Sequence, residues 1–177
     1  MNILKSLLGM FFAVVVMALF GCGGGGGGTP PPPTKATLKL STAGTAGTSI
    51  AGIQVTVVLP KGVTVAATTT IDPTVMETNA GVVLLSGATV ADPAAFSQLK
   101  PIATYTPATD TTPGKVKIGL AGQKDFSLGE FVTLNTVIAA GNVPVATDFS
   151  LEGFTAVDSN GAPITPALTP SFVADIR

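Results

Sequence analysis

The sequence predicts an all-β fold, a nine-stranded antiparallel β-sandwich, and three observations predict it. Threonine occurs 25 times while charged residues make up only 11% of the chain, which suits pleated, half-buried strands better than helices rich in Glu, Lys and Leu. Apolar and polar residues alternate in short runs rather than recurring at helical spacing. Nine such runs are separated by Gly, Pro, Asp and Asn, the cadence of a sandwich.

The runs follow in order. "ATLKLST" sets Leu38 and Leu40 against Thr37 and Lys39. "AGIQVTVVLP" places Ile53, Val55, Val57 and Leu59 on one face and Gln54 and Thr56 on the other, and Pro60 to Gly62 then makes a turn into "VTVAAT". "GVVLLSG" (Gly81 to Gly87) and "IATYT" (Ile102 to Thr106) are the next two. In "GKVKIGLAG" (Gly114 to Gly122) Lys115 and Lys117 face water while Val116, Ile118 and Leu120 point inward, the one-sided wetting of an antiparallel sheet. "GEFVTLNTVIAAG" (Gly129 to Gly141), "FSLEGFTAVD" (Phe149 to Asp158) and "PSFVAD" complete the nine. Between the fourth and fifth runs, "ADPAAFSQLK" predicts a helical turn or two, with Asp92 as cap and Pro93 in the first helical position. Phe96, Phe126, Phe131, Phe149, Phe154 and Phe172 are expected in the core.

Ahead of these runs the chain has a different character. One positive charge, Lys5, precedes an apolar stretch from Leu7 to Phe20 and a small residue, Gly21, which is signal-peptide architecture over residues 1–22. As a helix that stretch spans about 21 Å, short of the ~30 Å hydrocarbon core of a bilayer. Six glycines and four prolines in residues 23–34 have nothing to bury and form a tether. Its glycines reach about 13 Å as a coil and its prolines about 12 Å as a polyproline II rod. Residues 35–177 are left as a single domain. A glycine run also matches phosphate-loop patterns, but no strand precedes this one and no Gly-Lys-Ser/Thr completes it.

Leu19, Phe20, Gly21 and Cys22 resemble the lipobox of bacterial lipoproteins, with Phe20 bulkier than the usual small residue. The resemblance implies a diacylglyceryl group on the Cys22 thiol, cleavage after Gly21 and a membrane partner held through lipid. Several acyl chains, at about 0.8 kcal/mol per buried methylene, make that anchorage very slow to release. Gly23, where an Asp would signal inner-membrane retention, makes the implied address the cell envelope at the outer membrane.

The domain in turn resembles the cohesin-like family of nine-stranded jelly rolls, relatives of carbohydrate-binding modules. The similarity rests on "AGIQVTVVLPKGVTV", "GKVKIGLAG", "LGEFVTLNTVIAAG" and "FSLEGFTAVDSNGAPI" and covers most of Ala36 to Ala174. It implies a jelly-roll topology and two candidate partners, a dockerin-like protein docked on a sheet face or a polysaccharide. The sequence departs from the carbohydrate-binding pattern in having no Trp and a single Tyr, so Tyr105 is the one candidate ligand-contact residue for a sugar ring.

Composition narrows the chemistry further. There is no His, and the lone Cys is committed to lipid on this reading, which removes the commonest general base, nucleophile and metal ligands. Basic residues number 9 and are scattered, unlike the clusters that neutralise nucleic-acid phosphates, so no nucleic-acid partner is expected. The ten carboxylates sit mostly beside Gly, Pro or Ser and read as turn-forming groups rather than a facing catalytic pair. "DSNG" at Asp158 to Gly161 lacks the later ligands of a calcium loop and reads as a hairpin turn. The expectation is therefore a non-catalytic binding module without cofactor or metal, most simply for protein contact, with polysaccharide binding or a passive envelope role as alternatives.

Overall fold

The computed structural model describes residues 30–45, 49–69 and 74–177, leaving the side chains at 94, 95, 123 and 124 undescribed. The leader, Cys22, most of the tether and Asp72 lie outside the described residues. The chain divides between Pro31 and Pro32, and the fold is that of the unit Pro32–Arg177.

Eleven strands form among the described residues: β1 (Lys35–Gly44), β2 (Ile50–Leu59), β3 (Val63–Thr64), β4 (Ala67–Thr69), β5 (Met76–Thr78), β6 (Val83–Leu85), β7 (Lys100–Thr106), β8 (Gly114–Phe126), β9 (Gly129–Ile138), β10 (Ser150–Val157) and β11 (Leu168–Ile176). Two one-turn helices, α1 (Ala88–Ala91) and α2 (Pro93–Phe96), join β6 to β7. The first sheet runs β11-β1-β9-β3, with β6 also on β9, and the second runs β10-β2-β8-β7-β5-β4. Every pairing is antiparallel.

Nine runs become eleven strands for two reasons. "VTVAAT" changes sheets: Val63 and Thr64 pair with β9, whereas Ala67 to Thr69 pair with β5. The extra strand, β5, is three residues of mixed polarity, too short to show alternation. β7 starts earlier than "IATYT", taking in Pro101, because β5 reaches only Thr104 and Tyr105 and leaves β7 one neighbour at that level.

The alternation read in the sequence is the alternation of burial. Val55 and Val57 of β2 and Val116 and Ile118 of β8 are fully buried, while Gln54 and Lys117 are exposed. Leu38 and Leu40 of β1 face Leu134 and Val132 of β9 from within the first sheet. Of the six phenylalanines, Phe126, Phe131 and Phe149 are buried, and Phe154 and Phe172 are half-buried against the core, Phe172 packing edge-on against Phe149. Phe96 corrects the expectation: it is 48% exposed, and the inward anchor of its segment is Leu99.

Turn chemistry fixes the corners. Gly62 takes φ +77° where the Val63 N–H bonds back to the Pro60 carbonyl oxygen, a conformation glycine adopts without steric cost. At the Asp158 hairpin turn the carboxylate accepts the N–H groups of Asn160 and Ala162. The Phe96 N–H donates to the Asp92 carbonyl oxygen, opening α2 where Pro93 stands in its first position. The Thr34 N–H donates to the Arg177 carbonyl oxygen, and the Ile138 N–H to that of Thr34. The start of β1 and the ends of β9 and β11 thus lie together at one end of the sandwich.

Candidate binding face

The second sheet presents its outward side as a ladder of aligned residues. Glu152 lies opposite Thr56, Thr56 opposite Lys117, Lys117 opposite Thr104, Thr104 opposite Glu77 and Glu77 opposite Thr68. One row of polar side chains therefore crosses all six strands. It follows from period-two alternation, since each member is the neighbour of an inward-facing residue.

Charges along the row alternate as carboxylate, ammonium, carboxylate with a threonine between each pair. Glu152 is engaged sideways by Lys115, at 2.5 Å between Nζ and Oε1. Among the described residues Lys117 and Glu77 form no ion pair. Beside this row runs Thr155, Gln54, Gly119 and Ile102. A Cβ built on Gly119 meets nothing nearer than the Ile102 carbonyl oxygen at 3.9 Å, so the sheet surface is low there, and Ile102 stands 69% exposed at its margin.

The outward side of the first sheet is more self-contained. Lys39 lies 3.5 Å from Glu130, the Thr37 hydroxyl donates to Asn135 Oδ1, and Asn135 Nδ2 donates to the Gly81 carbonyl oxygen. Recesses of about 410 and 390 Å³ flank Pro60 and Lys61 at the sandwich end. Their polar groups are largely committed: Thr109 Oγ1 takes the N–H groups of Thr111 and Thr112, and Asp148 Oδ2 takes that of Val145. Among the described residues no three Asp, Glu or Cys side chains gather where they could hold a metal ion.

Tyr105 is 5% exposed and lies opposite Val116 and Met76 on the inward side of the second sheet. Its ring has no open face on which a sugar could stack. Burial raises its phenol above the ordinary 10.0, opposed by a hydrogen bond from the Ala108 backbone. Cys22 lies outside the described residues. The polar row went unread in the sequence because alternation says which residues face out but not which strands adjoin, and only the pairing order brings Glu77, Lys117 and Glu152 into line.

Comparison of the chain with protein-family models, curated proteins and solved structures gives no match. Two antiparallel sheets in a sandwich-like arrangement, with one outward face crossed by a polar row, define the class to which function must be fitted.

Proposed function

We propose that the chain is a lipid-anchored envelope protein whose cohesin-like jelly-roll domain binds a protein partner through the outward face of the second sheet and catalyses nothing. The observation that carries this reading is the row Glu152, Thr56, Lys117, Thr104, Glu77 and Thr68. A protein surface with charges in the opposite sequence would meet it pair for pair, and such complementarity sets orientation and excludes wrong partners. The lipobox-like Leu19 to Cys22 supports the anchorage, and the tether supports presentation away from headgroups. The buried Tyr105 favours protein over polysaccharide, since sugars are gripped chiefly by exposed aromatic rings.

The test compares the full chain with Lys117→Glu, which turns the centre of the row acidic, and Lys39→Glu on the other sheet. Each is solubilised in detergent and used to capture envelope proteins with and without calcium. A partner held by the parent and Lys39→Glu but lost with Lys117→Glu is the expected result, and calcium dependence marks the partner as dockerin-like. Capture unaffected by Lys117→Glu overturns the face. Specific retention on insoluble polysaccharide, with no captured protein, overturns the protein reading, and binding to neither leaves the domain a passive envelope component.

A further inference from the structure

Strand edges differ sharply in how they are protected. β3, β4 and β6 are two or three residues long. β10 is broken by a register shift between Glu152 and Thr155, where Gly153 takes φ +60°. β11 is nine residues long, pairs among the described residues only with β1 and keeps an unbroken register from Leu168 to Ile176. Long regular edges invite pairing with another chain, and soluble proteins usually shorten, bulge or charge them or set Pro in them. β11 has Pro170 and Asp175 toward its two ends and none of these devices from Ser171 to Ala174.

Which groups of β11 face outward follows from its pairing. Arg177 and Lys35 exchange both backbone hydrogen bonds, at 3.0 Å each, so they form a hydrogen-bonded pair and such pairs recur at every second residue. Thr169, Ser171, Val173 and Asp175 therefore direct their backbone groups at β1, while Pro170, Phe172, Ala174 and Ile176 direct theirs away. Phe172, Ala174 and Ile176 each carry an N–H and a carbonyl oxygen with no hydrogen-bond partner among the described residues, and Pro170 offers only a carbonyl oxygen.

The geometry points to a second copy of this chain as the occupant, joined β11 to β11 in antiparallel register about a two-fold axis at Val173. Self-complementarity carries the choice. With Val173 opposite itself, Phe172 meets the partner's Ala174 on the inward side, a large residue against a small one. On the outward side Val173, which is 70% exposed, covers its own copy. Ser171 meets the partner's Asp175, a hydroxyl donor against a carboxylate. Thr169 meets the partner's Arg177, and no like charges are opposed. Sliding by one step, so that Ala174 faces itself, sets Val173 against the partner's Asp175 and loses both matches. The outward row Leu84, Thr133, Lys39 and Val173 then continues without interruption through the same four residues of the second copy. The interface leaves the second sheet free.

Cysteine cross-linking in the full chain, solubilised in detergent, tests both the pairing and its register. Opposed residues whose backbone groups point away from each other hold their Cβ atoms about 4.5 to 5.5 Å apart, close to what a disulfide spans. Under mild oxidation Val173→Cys is expected to give a disulfide dimer above the background set by the parent chain. Ser171→Cys and Asp175→Cys are expected to give little alone and a strong dimer when the two are mixed. Ala174→Pro, which removes an N–H that β1 does not use, should abolish the Val173→Cys dimer while leaving the circular dichroism spectrum unchanged. No excess dimer from Val173→Cys overturns the proposal. So does an equal dimer from Val143→Cys on the β9–β10 loop, or a Val173→Cys dimer that survives Ala174→Pro.

Discussion

The Thr89 hydroxyl and the Phe131 carbonyl oxygen lie 2.9 Å apart with Thr89 wholly buried, fastening α1 to the long strand β9. The same oxygen, Thr89 Oγ1, also accepts the Ser86 N–H at 3.1 Å. One threonine thus supplies the polar contacts that a one-turn helix cannot supply itself.

Removing that hydroxyl takes one bond each from the Phe131 carbonyl oxygen and the Ser86 N–H, which keep their bond to each other at 3.2 Å. Thr89→Val, which keeps the shape, should lower stability by about 0.5–1.5 kcal/mol in chemical denaturation, the net worth of a hydrogen bond whose partners remain satisfied. Thr68→Val on the exposed strand β4 should change it by less than about 0.5 kcal/mol. Equal effects at the two sites would refute the role given to Thr89.

Ile118 and its neighbour Lys117 separate burial from binding. Ile118→Asp places an unpaired carboxylate in the core and should unfold the domain, since such burial costs several kcal/mol. Lys117→Glu should leave the thermal transition within a few degrees of the parent. A cooperative transition retained by Ile118→Asp would contradict the inward assignment.

How far these features were legible in the sequence depended on length. β2, β8 and β9 are each ten residues or longer and alternate over most of that length, so strand type and inward face were readable at Val55, Ile118 and Leu134. Short elements gave no such signal. Met76 to Thr78 is three residues, and Thr89 looks like any surface-strand threonine until α1 turns it under β9. Phe96 misled because large apolar residues are usually buried, but a single helical turn has room for few inward positions and Leu99 supplies the anchor. The polar row and the free edge of β11 depend on which strands adjoin, information that resides in long-range pairing.

Tyr105 reports core integrity by its own titration. It is the only tyrosine, and there is no tryptophan, so its phenolate absorbance is clean. Burial raises its folded pKa, so the unfolded chain loses that proton first. Its contribution to stability is fully present below pH 10.0 and is lost as pH rises from there through the folded value. While the chain stays folded, phenolate should appear only above the ordinary pH. Ionisation at the ordinary tyrosine value in a folded chain would contradict the burial.

Cys22 is open to direct labelling. Cys22→Ser should abolish incorporation of labelled fatty acid and move the chain from the membrane to the soluble fraction. Unchanged membrane retention would sink the anchor.

The bonding of Thr34 to Arg177 and Ile138 also governs how the domain bears force. β1 lies between β11 and β9 and is laddered to both along nearly its whole length. A pull entering through Thr34 along the strand loads those two ladders in shear, so their hydrogen bonds resist together instead of opening one after another. A pull across the sheet at the same point would peel them singly. Lengthwise tension on β1 is therefore shared between two ladders from the first residues of the strand.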